Sequence, residues 1–93
     1  MTIKSFHCKD TQALFQRNSV RRFGSITIAA RRKLEQLDWA GQLEDLRIPP
    51  GNRLEMLRGN RQGQHSIRIN NQFRLCFRWT GTDAEDVEIV DYH

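Results

Sequence analysis

The sequence predicts an α+β fold in which two N-terminal helices pack on a small antiparallel-rich sheet, in the order β-α-α-β-β-β-β. Three patterns support this fold class. Apolar and polar residues alternate along residues 64–69 and 73–79, which is typical of two half-buried antiparallel strands. Apolar residues recur at helical spacing between residues 26 and 37. A last alternating run begins at residue 87 and indicates a final strand.

The N-terminal quarter is expected to contain a short strand, a short helix and a connection. Residues 2–6 are the strand candidate. Asp10 is the expected N-cap of a helix over residues 11–16. The arginine-bearing segment 17–24 follows, and it is interpreted either as a solvated linker or as part of a binding surface. Of the two, the solvated linker is the preferred interpretation.

The longest helix is predicted to begin at a cap formed by Ser25 or Thr27 and to run to about residue 40, with Gly41 as its stop. One stripe of this helix should face the sheet. Its members are Ile26, Ala30, Leu34 and Leu37. The basic run 31–33 lies on the other side, and most such runs form a solvated helix face.

The register of the central hairpin follows from keeping each sheet face uniform. A two-residue turn would pair Ile67 with Arg74, whereas a three-residue loop over 70–72 pairs Ile67 with Leu75. Asparagine tolerates the left-handed backbone that such loops need. The three-residue loop sets Arg68 opposite Arg74. Because like charges in this position repel, an acidic residue or an anionic ligand is expected beside them.

Residues 53–58 are predicted to form the strand next to this hairpin. Pairing Met56 with Ile67 continues the apolar face of the sheet and sets Glu55 opposite Arg68. Both predicted contacts depend on this register.

The last strand is predicted to pair along the other edge of the hairpin. Continuing the apolar face sets Glu88 opposite Arg78 and Tyr92 opposite Arg74. The polar face would then hold a cluster near one end of the sheet. Its members are Glu55, Arg68, Arg74 and Tyr92, with Asp91 and His93 at the adjoining strand end.

Two interpretations of this polar face stay open. Guanidinium groups bind phosphate oxygens in forked geometry and stabilise the charge of a phosphodiester transition state. Cleavage of RNA by its own 2′-hydroxyl also needs a base, for which Asp91, Glu55 or Tyr92 are candidates, and an acid, for which His93 is suited. The alternative is that the charged residues form ordinary cross-strand ion pairs on a solvated face.

Composition limits the remaining possibilities. The chain of 93 residues is expected to form one domain, 1–93, and its net charge of +4 favours a polyanionic partner. The absence of a long apolar run or a leader, together with two cysteines interpreted as reduced thiols, indicates a cytoplasmic protein without a membrane segment. No spacing of histidine and cysteine suggests a zinc site. Trp39 and Trp79 are predicted to be packing residues.

Several segments together resemble one known protein family. They are residues 3–6 (IKSF), 21–23 (RRF), 49–55 (PPGNRLE), 57–61 (LRGNR), 63–70 (GQHSIRIN), 72–79 (QFRLCFRW) and 87–93 (VEIVDYH). In this combination the chain resembles the HigB-type plasmid maintenance killer toxins, a branch of the RelE superfamily. The resemblance covers nearly the whole chain, and the final DYH with the RIN-x-x-aromatic-R hairpin is its most specific part.

The resemblance implies a fold like that of microbial ribonucleases and a ribosome-dependent activity that cuts mRNA in the ribosomal A site. It implies attack by the 2′-hydroxyl without a metal or cofactor. The implied partners are a helix-turn-helix antitoxin (HigA-like), the ribosome with its mRNA, and operator DNA only through the antitoxin. The alternative function is a non-catalytic basic module that acts mainly as a corepressor with its antitoxin.

The family roles carry over to matching positions. The resemblance implies that Arg58 and Arg74 clamp the scissile phosphate, that Asp91 and His93 are base and acid, and that Tyr92 positions the substrate. Arg58 stands where many relatives have lysine, although the predicted register places it at a strand end opposite His65. Further RNA contacts are expected from four residues: Glu55, Arg61, Arg68 and Lys33. Glu55 occupies a position where some relatives have histidine.

Overall fold

The computed structural model describes residues 1–92, which form two α-helices and a four-stranded antiparallel sheet in the order β1-β2-β3-β4. The helices are α1 (Lys9–Phe15) and α2 (Thr27–Trp39). The strands are β1 (Glu55–Met56), β2 (Gln64–Arg68), β3 (Phe73–Trp79) and β4 (Ala84–Asp91). Short 3-10 turns occupy Arg21–Ile26, Leu43–Arg47, Pro50–Asn52 and Gly59–Arg61. The predicted α+β class is confirmed.

Helix α2 buries the stripe that its sequence predicts. Its residues Ala30, Leu34 and Leu37 have no more than traces of exposed surface, and Ile26 just before it is also buried. The start of the helix differs from the prediction, because the 3-10 turn over Arg21–Ile26 leads directly into it and no side chain caps it. Neither helix within residues 1–92 is long and apolar enough to cross a membrane.

Helix α1 begins earlier than predicted. Cys8 is its N-cap, and Asp10 lies in the first turn, where a carboxylate also favours the helix dipole. Asp10 forms an ion pair with Arg22 at 2.9 Å, which connects the predicted linker to α1 near its C-terminal end. Leu14 of this helix is buried, and Phe15 packs at the edge of the core.

The N-terminal segment covers the outer edge of β4 without forming a continuous ladder. The strand predicted over residues 2–6 is reduced to two isolated parallel bridges, Ile3 with Ala84 and Phe6 with Val87. Farther along the same edge, the Ile89 N–H donates to the Thr11 hydroxyl at 3.0 Å. These contacts satisfy backbone groups that an open edge strand would leave unpaired.

The central hairpin has the predicted register. Ile67 pairs with Leu75, and Arg68 lies opposite Arg74. The Asn70 side chain accepts hydrogen bonds from the backbone N–H groups of Gln72 and Phe73, each at 2.8 Å. This turn chemistry closes the three-residue loop.

The strand before the hairpin is shorter than predicted and its register differs by two residues. Glu55 pairs with Ser66 rather than Arg68, and Met56 pairs with His65. A shift of two residues keeps every side chain on its predicted face, so alternation alone does not distinguish the two registers. Met56 is 72% exposed, because β1 is an edge strand of two residues that extends past the core.

The pairing of β3 with β4 is also shifted by two residues and contains a bulge. Arg74 lies opposite Val90 rather than Tyr92, and Cys76 lies opposite Glu88. Beyond Cys76 the register changes, and Asp86 adopts the left-handed φ of 53°. The predicted pair between Glu88 and Arg78 is therefore wrong, because the two-residue shift sets Glu88 opposite Cys76 and the bulge sets Arg78 opposite Glu85.

The core lies between α2 and one face of the sheet. Its sheet side chains come from the buried residues of β2, β3 and β4, which are Ile67, Leu75, Phe77, Ala84, Val87 and Ile89. The opposite face of β3 carries Arg74, Cys76 and Arg78. This second face, which we call the polar face, is where most of the predicted site residues meet.

Candidate functional site

Arg74 is the most firmly held side chain of the polar face. Its Nε donates to the Ser66 hydroxyl at 2.7 Å, and its Nη2 donates to the Arg53 carbonyl at 2.7 Å. The same Nη2 lies 3.2 Å from a carboxylate oxygen of Glu55. The Arg74 side chain is only 11% exposed, so the guanidinium is fixed in one orientation beside the surface.

The carboxylate expected beside the opposed arginines is present, although it reaches them through a different register. Glu55 pairs with Arg74 from its position opposite Ser66. Arg68 is held separately by a hydrogen bond to the Asn71 side chain in the hairpin loop. The repulsion between Arg68 and Arg74 is thus relieved within the protein.

A second ion pair lies on the same face. Arg61 Nη1 is 3.1 Å from a Glu88 carboxylate oxygen and 3.2 Å from the Gln64 side-chain oxygen. Both partners of the ion pair are mostly shielded from solvent. Burial lowers the pKa of Arg61, but its hydrogen bond to Glu88 and the nearby acidic groups outweigh burial and raise the pKa above the usual arginine value. Arg61 is therefore a permanent cation here.

Cys76 and Tyr92 lie between these two ion pairs. Burial raises the pKa of the Cys76 thiol, and the positive charges of Arg61 and Arg74 offset only part of this effect. Burial also raises the pKa of Tyr92, and its contact with Cys76 acts in the same direction. Both groups therefore remain protonated at neutral pH. In this state Tyr92 is a hydrogen-bond donor beside two guanidinium groups.

Asp91 lies at the end of β4, directly opposite Phe73. Because side chains alternate along a strand, Asp91 is on the side of Val87 and Ile89, whereas its neighbour Tyr92 is on the polar face. The Asp91 carboxylate accepts a hydrogen bond from the Gln72 side chain at 3.0 Å. The structure thus brings Tyr92 to the Arg74 cluster and leaves Asp91 at the rim.

The other predicted site residues are more scattered. Arg58 is exposed at the start of the 3-10 turn Gly59–Arg61, and Met56 occupies the position opposite His65 that was expected for Arg58. Lys33 is bound to the side chain of the buried Asn52 at 2.6 Å, so it is not part of the polar face. His93 lies outside the described residues.

Sequence reasoning did not identify several partners that hold the site. The Ser66 hydroxyl and the Arg53 carbonyl orient Arg74, and Glu88 orients Arg61. The position of Ser66 on the polar face was visible in the alternation. The Arg53 carbonyl was not, because it depends on the left-handed φ of 47° at that residue. The complete arrangement presents fixed guanidinium groups and a phenol, which together suit a phosphodiester ligand.

Comparison with known proteins assigns the chain to a family. Residues 4–93 match the family described as the RelE-like toxin of type II toxin–antitoxin system HigB. Toxin HigB-1 of Vibrio cholerae is 60% identical over 55 residues, which cover 59% of this chain and 58% of that protein. An uncharacterized protein of Haemophilus influenzae is 34% identical over 56 residues, or 60% of this chain and 55% of that protein. These alignments span little more than half the length of each relative.

Solved structures show the same fold. The YoeB dimer from Staphylococcus aureus superposes with a TM-score of 0.59 at 22% identity, covering 100% of this chain and 99% of that one. The YoeB/ParE toxin from Agrobacterium tumefaciens gives a TM-score of 0.51 at 20% identity with 100% of both chains covered. Because the family match extends from residue 4 to residue 93, this protein belongs to the HigB family of RelE-like type II toxins.

Proposed function

We propose that this protein is an mRNA interferase, a ribosome-dependent endoribonuclease that cuts mRNA in the ribosomal A site in the cytoplasm. The observation that carries the proposal is the Arg74 guanidinium, which Ser66, Arg53 and Glu55 hold in place beside Tyr92. A preoriented guanidinium stabilises charge that develops on a phosphate without further reorganisation. Membership of the type II toxin family supports the same activity.

The proposed reaction is a transesterification within the RNA. A general base removes the proton of the 2′-hydroxyl, and the 2′-oxygen forms a bond to the adjacent phosphorus. The bond from phosphorus to the 5′-oxygen breaks, and a general acid protonates the leaving oxygen. The products are a 2′,3′-cyclic phosphate end and a 5′-hydroxyl end. All of these proton transfers can be made by protein side chains.

Arg74 and Arg58 are the proposed phosphate ligands, with Asp91 as base, His93 as acid and Tyr92 as the group that positions the substrate. Asp91 is at the rim of the polar face, so the ribose must reach the end of β4 to meet it. Glu55 is the competing base, because it is 3.2 Å from Arg74 on the same face. Arg61 and Arg68 are proposed to bind the RNA backbone on either side, and Lys33 to add a more distant contact.

The activity is tested by mapping the 5′ ends of mRNA after incubation with the protein in a reconstituted translation reaction. The control is the same mRNA in ribosome-free buffer. Cuts at codon-register positions only in the presence of ribosomes are expected, because the ribosome orders the substrate. Absence of cuts from folded, antitoxin-free protein would overturn the proposal. The polar face would then be a binding surface, as in the corepressor alternative.

The general base is tested by comparing Asp91→Asn with Glu55→Gln in single-turnover cleavage. Loss of general base catalysis lowers rates by about 10²–10⁴-fold, and this loss is expected for Asp91→Asn. Glu55→Gln is expected to have a much smaller effect. A larger loss of rate from Glu55→Gln than from Asp91→Asn would assign the general base to Glu55.

A further inference from the structure

The outer surface of α2 presents an unusual exposed stripe. Ile28 is 76% exposed and Trp39 is 78% exposed, so the prediction that Trp39 packs in the core is wrong. Both residues lie on the side of α2 opposite the buried stripe, and three helical turns separate Ile28 from Trp39. The residues between them on this side are Arg32, Glu35 and Gln36. Two large apolar side chains on one stripe suggest a binding surface rather than scattered exposure.

This stripe is one wall of an open groove of about 560 Å³. Arg17 and Arg31 complete the groove, so its lining carries three arginines and one glutamate. Arg31 donates to the carbonyls of Leu14 and Asn18 at 3.0 and 3.1 Å, and is therefore held in place. Arg17 is 3.5 Å from Glu35, which leaves the groove with a net positive charge.

The groove is on the opposite side of the molecule from the polar face. The inner stripe of α2 packs on the apolar face of the sheet through Leu34 and Leu37. Arg74 projects from the other face of the same sheet. A ligand in the groove is thus separated from Arg74 by the helix, the core and the sheet.

We propose that this groove binds an amphipathic helix with an acidic polar face, supplied by the antitoxin of this protein's own toxin–antitoxin system. The distance from Ile28 to Trp39 corresponds to about 16 Å along the helix axis, which matches about three turns of a partner helix. Ile28 and Trp39 would contact the apolar side of the partner, and the arginines would pair with its carboxylates.

The charge of the groove argues against a second copy of this chain as the occupant. A two-fold contact would bring two copies of the groove together, so two surfaces of the same net positive charge would face each other. An acidic helix meets no such repulsion. The inference rests on membership of the antitoxin-regulated family and not on the proposed nuclease activity.

The test is a calorimetric titration of the full chain with the purified antitoxin of this system. The Ile28→Asp/Trp39→Ala double variant is expected to weaken binding by about 30-fold or more, as loss of an interface hot spot does. The matched control is Ile48→Asp/Met56→Ala, which changes two equally exposed apolar residues elsewhere. Equal effects of the two double variants, or less than about 3-fold loss in the groove variant, would overturn the proposal.

Three further variants separate the effect of charge from the effect of its location. Arg32→Glu is expected to weaken antitoxin binding by about 10-fold at low salt, whereas Arg47→Glu on the exposed 3-10 turn should change it little. Arg68→Gln on the polar face should leave antitoxin binding unchanged. A larger loss from Arg68→Gln than from Arg32→Glu would place the interface on the polar face and overturn the proposal.

A parallel titration with fluorescent single-stranded RNA tests whether the groove binds RNA instead of the antitoxin. The groove double variant should bind this RNA as tightly as the wild type does. Loss of RNA binding with unchanged antitoxin binding would instead assign the groove to RNA. Because neither titration needs cleavage, failure of the nuclease proposal would leave this result interpretable.

Discussion

Arg74 contacts three protein groups, which belong to Ser66, Arg53 and Glu55. These contacts depend on the planar, forked shape of the guanidinium. Nε and Nη2 donate in different directions, to the Ser66 hydroxyl and the Arg53 carbonyl. A lysine ammonium offers one point of charge and does not reproduce this fork. At this position a conservative change of charge is therefore not a conservative change of structure.

We expect Arg74→Lys to lower the free energy of unfolding by about 1–3 kcal/mol, because Ser66 is buried and would lose a charged donor. Cleavage should fall by about 10²–10³-fold, because the preoriented guanidinium that stabilises the charge on the phosphate is lost. Urea unfolding and single-turnover cleavage measure the two effects. Arg47→Lys, on an exposed turn, is the matched control. An Arg74→Lys variant with wild-type stability and rate would show that charge alone is sufficient.

Tyr92 provides a direct probe of the polar face, because it is the only tyrosine in the chain. Burial and the contact with Cys76 raise its pKa above the usual tyrosine value. The neutral phenol is thus favoured in the folded state. Its contribution to stability is complete below the pKa of the unfolded chain and is lost as the pH rises through the folded pKa.

We expect ultraviolet titration of the folded protein to show tyrosine ionisation at higher pH than the same titration in denaturant. The difference reports on Tyr92 alone when it is measured in the long-wavelength band of the ionised phenol, because the thiolate of cysteine does not absorb there. A Cys76→Ala variant should move the folded pKa back toward the denatured value, because the thiol contributes to the shift. Identical titrations of the folded and denatured protein would show that Tyr92 is not part of the cluster.

At the scale of elements, the hairpin loop depends on one asparagine more than on its neighbour. Asn70 accepts two backbone hydrogen bonds at 2.8 Å inside the loop. Asn71 is exposed and binds only the Arg68 side chain among the described residues. The register that sets Arg68 opposite Arg74 thus rests on Asn70.

We expect Asn70→Ala to lower the free energy of unfolding by about 1–2 kcal/mol and Asn71→Ala to change it by less than about 0.5 kcal/mol. Loss of the Asn70 side chain leaves two backbone N–H groups without their acceptor. Thermal and urea unfolding followed by circular dichroism measure both variants. Equal destabilisation would mean that the loop is held by its backbone rather than by this side chain.

For the whole molecule, the distribution of charge matters more than the net value of +4. Arginines occur both on the polar face and in the groove of α2, on opposite sides of the sheet. The two surfaces are proposed to serve different partners, RNA on one side and an acidic helix on the other. The salt dependence of RNA binding distinguishes a direct contact with an RNA phosphate from general electrostatic attraction to the protein.

Each phosphate neutralised on single-stranded RNA contributes a slope of about −0.7 to the dependence of log K on log salt. We therefore expect Arg68→Gln to reduce the magnitude of this slope by about 0.7, in fluorescence anisotropy with a labelled RNA. Arg47→Gln changes the net charge equally but lies away from the polar face, so its slope should match the wild type. Equal reductions would indicate diffuse attraction to the whole surface.

Alternation and helical spacing in the sequence determined the fold class, the core stripe of α2 and the register of the central hairpin. These patterns are sufficient because each element must bury one apolar face, and the spacing of the apolar residues on that face is visible in the sequence of the element itself. The resemblance to the HigB family added the identity, which the family comparison confirms.

Tertiary structure alone decided which polar side chains meet. The register of β1 and that of the C-terminal half of β4 each differ from the prediction by two residues, a change that leaves the alternation intact and that alternation cannot detect. In the observed registers Glu55 reaches Arg74 and Arg61 reaches Glu88. Arg53 and Asp86, which adopt a left-handed φ, lie just before β1 and within β4. Faces are local properties of a strand, whereas neighbours across strands depend on turns, bulges and edges that local patterns do not encode.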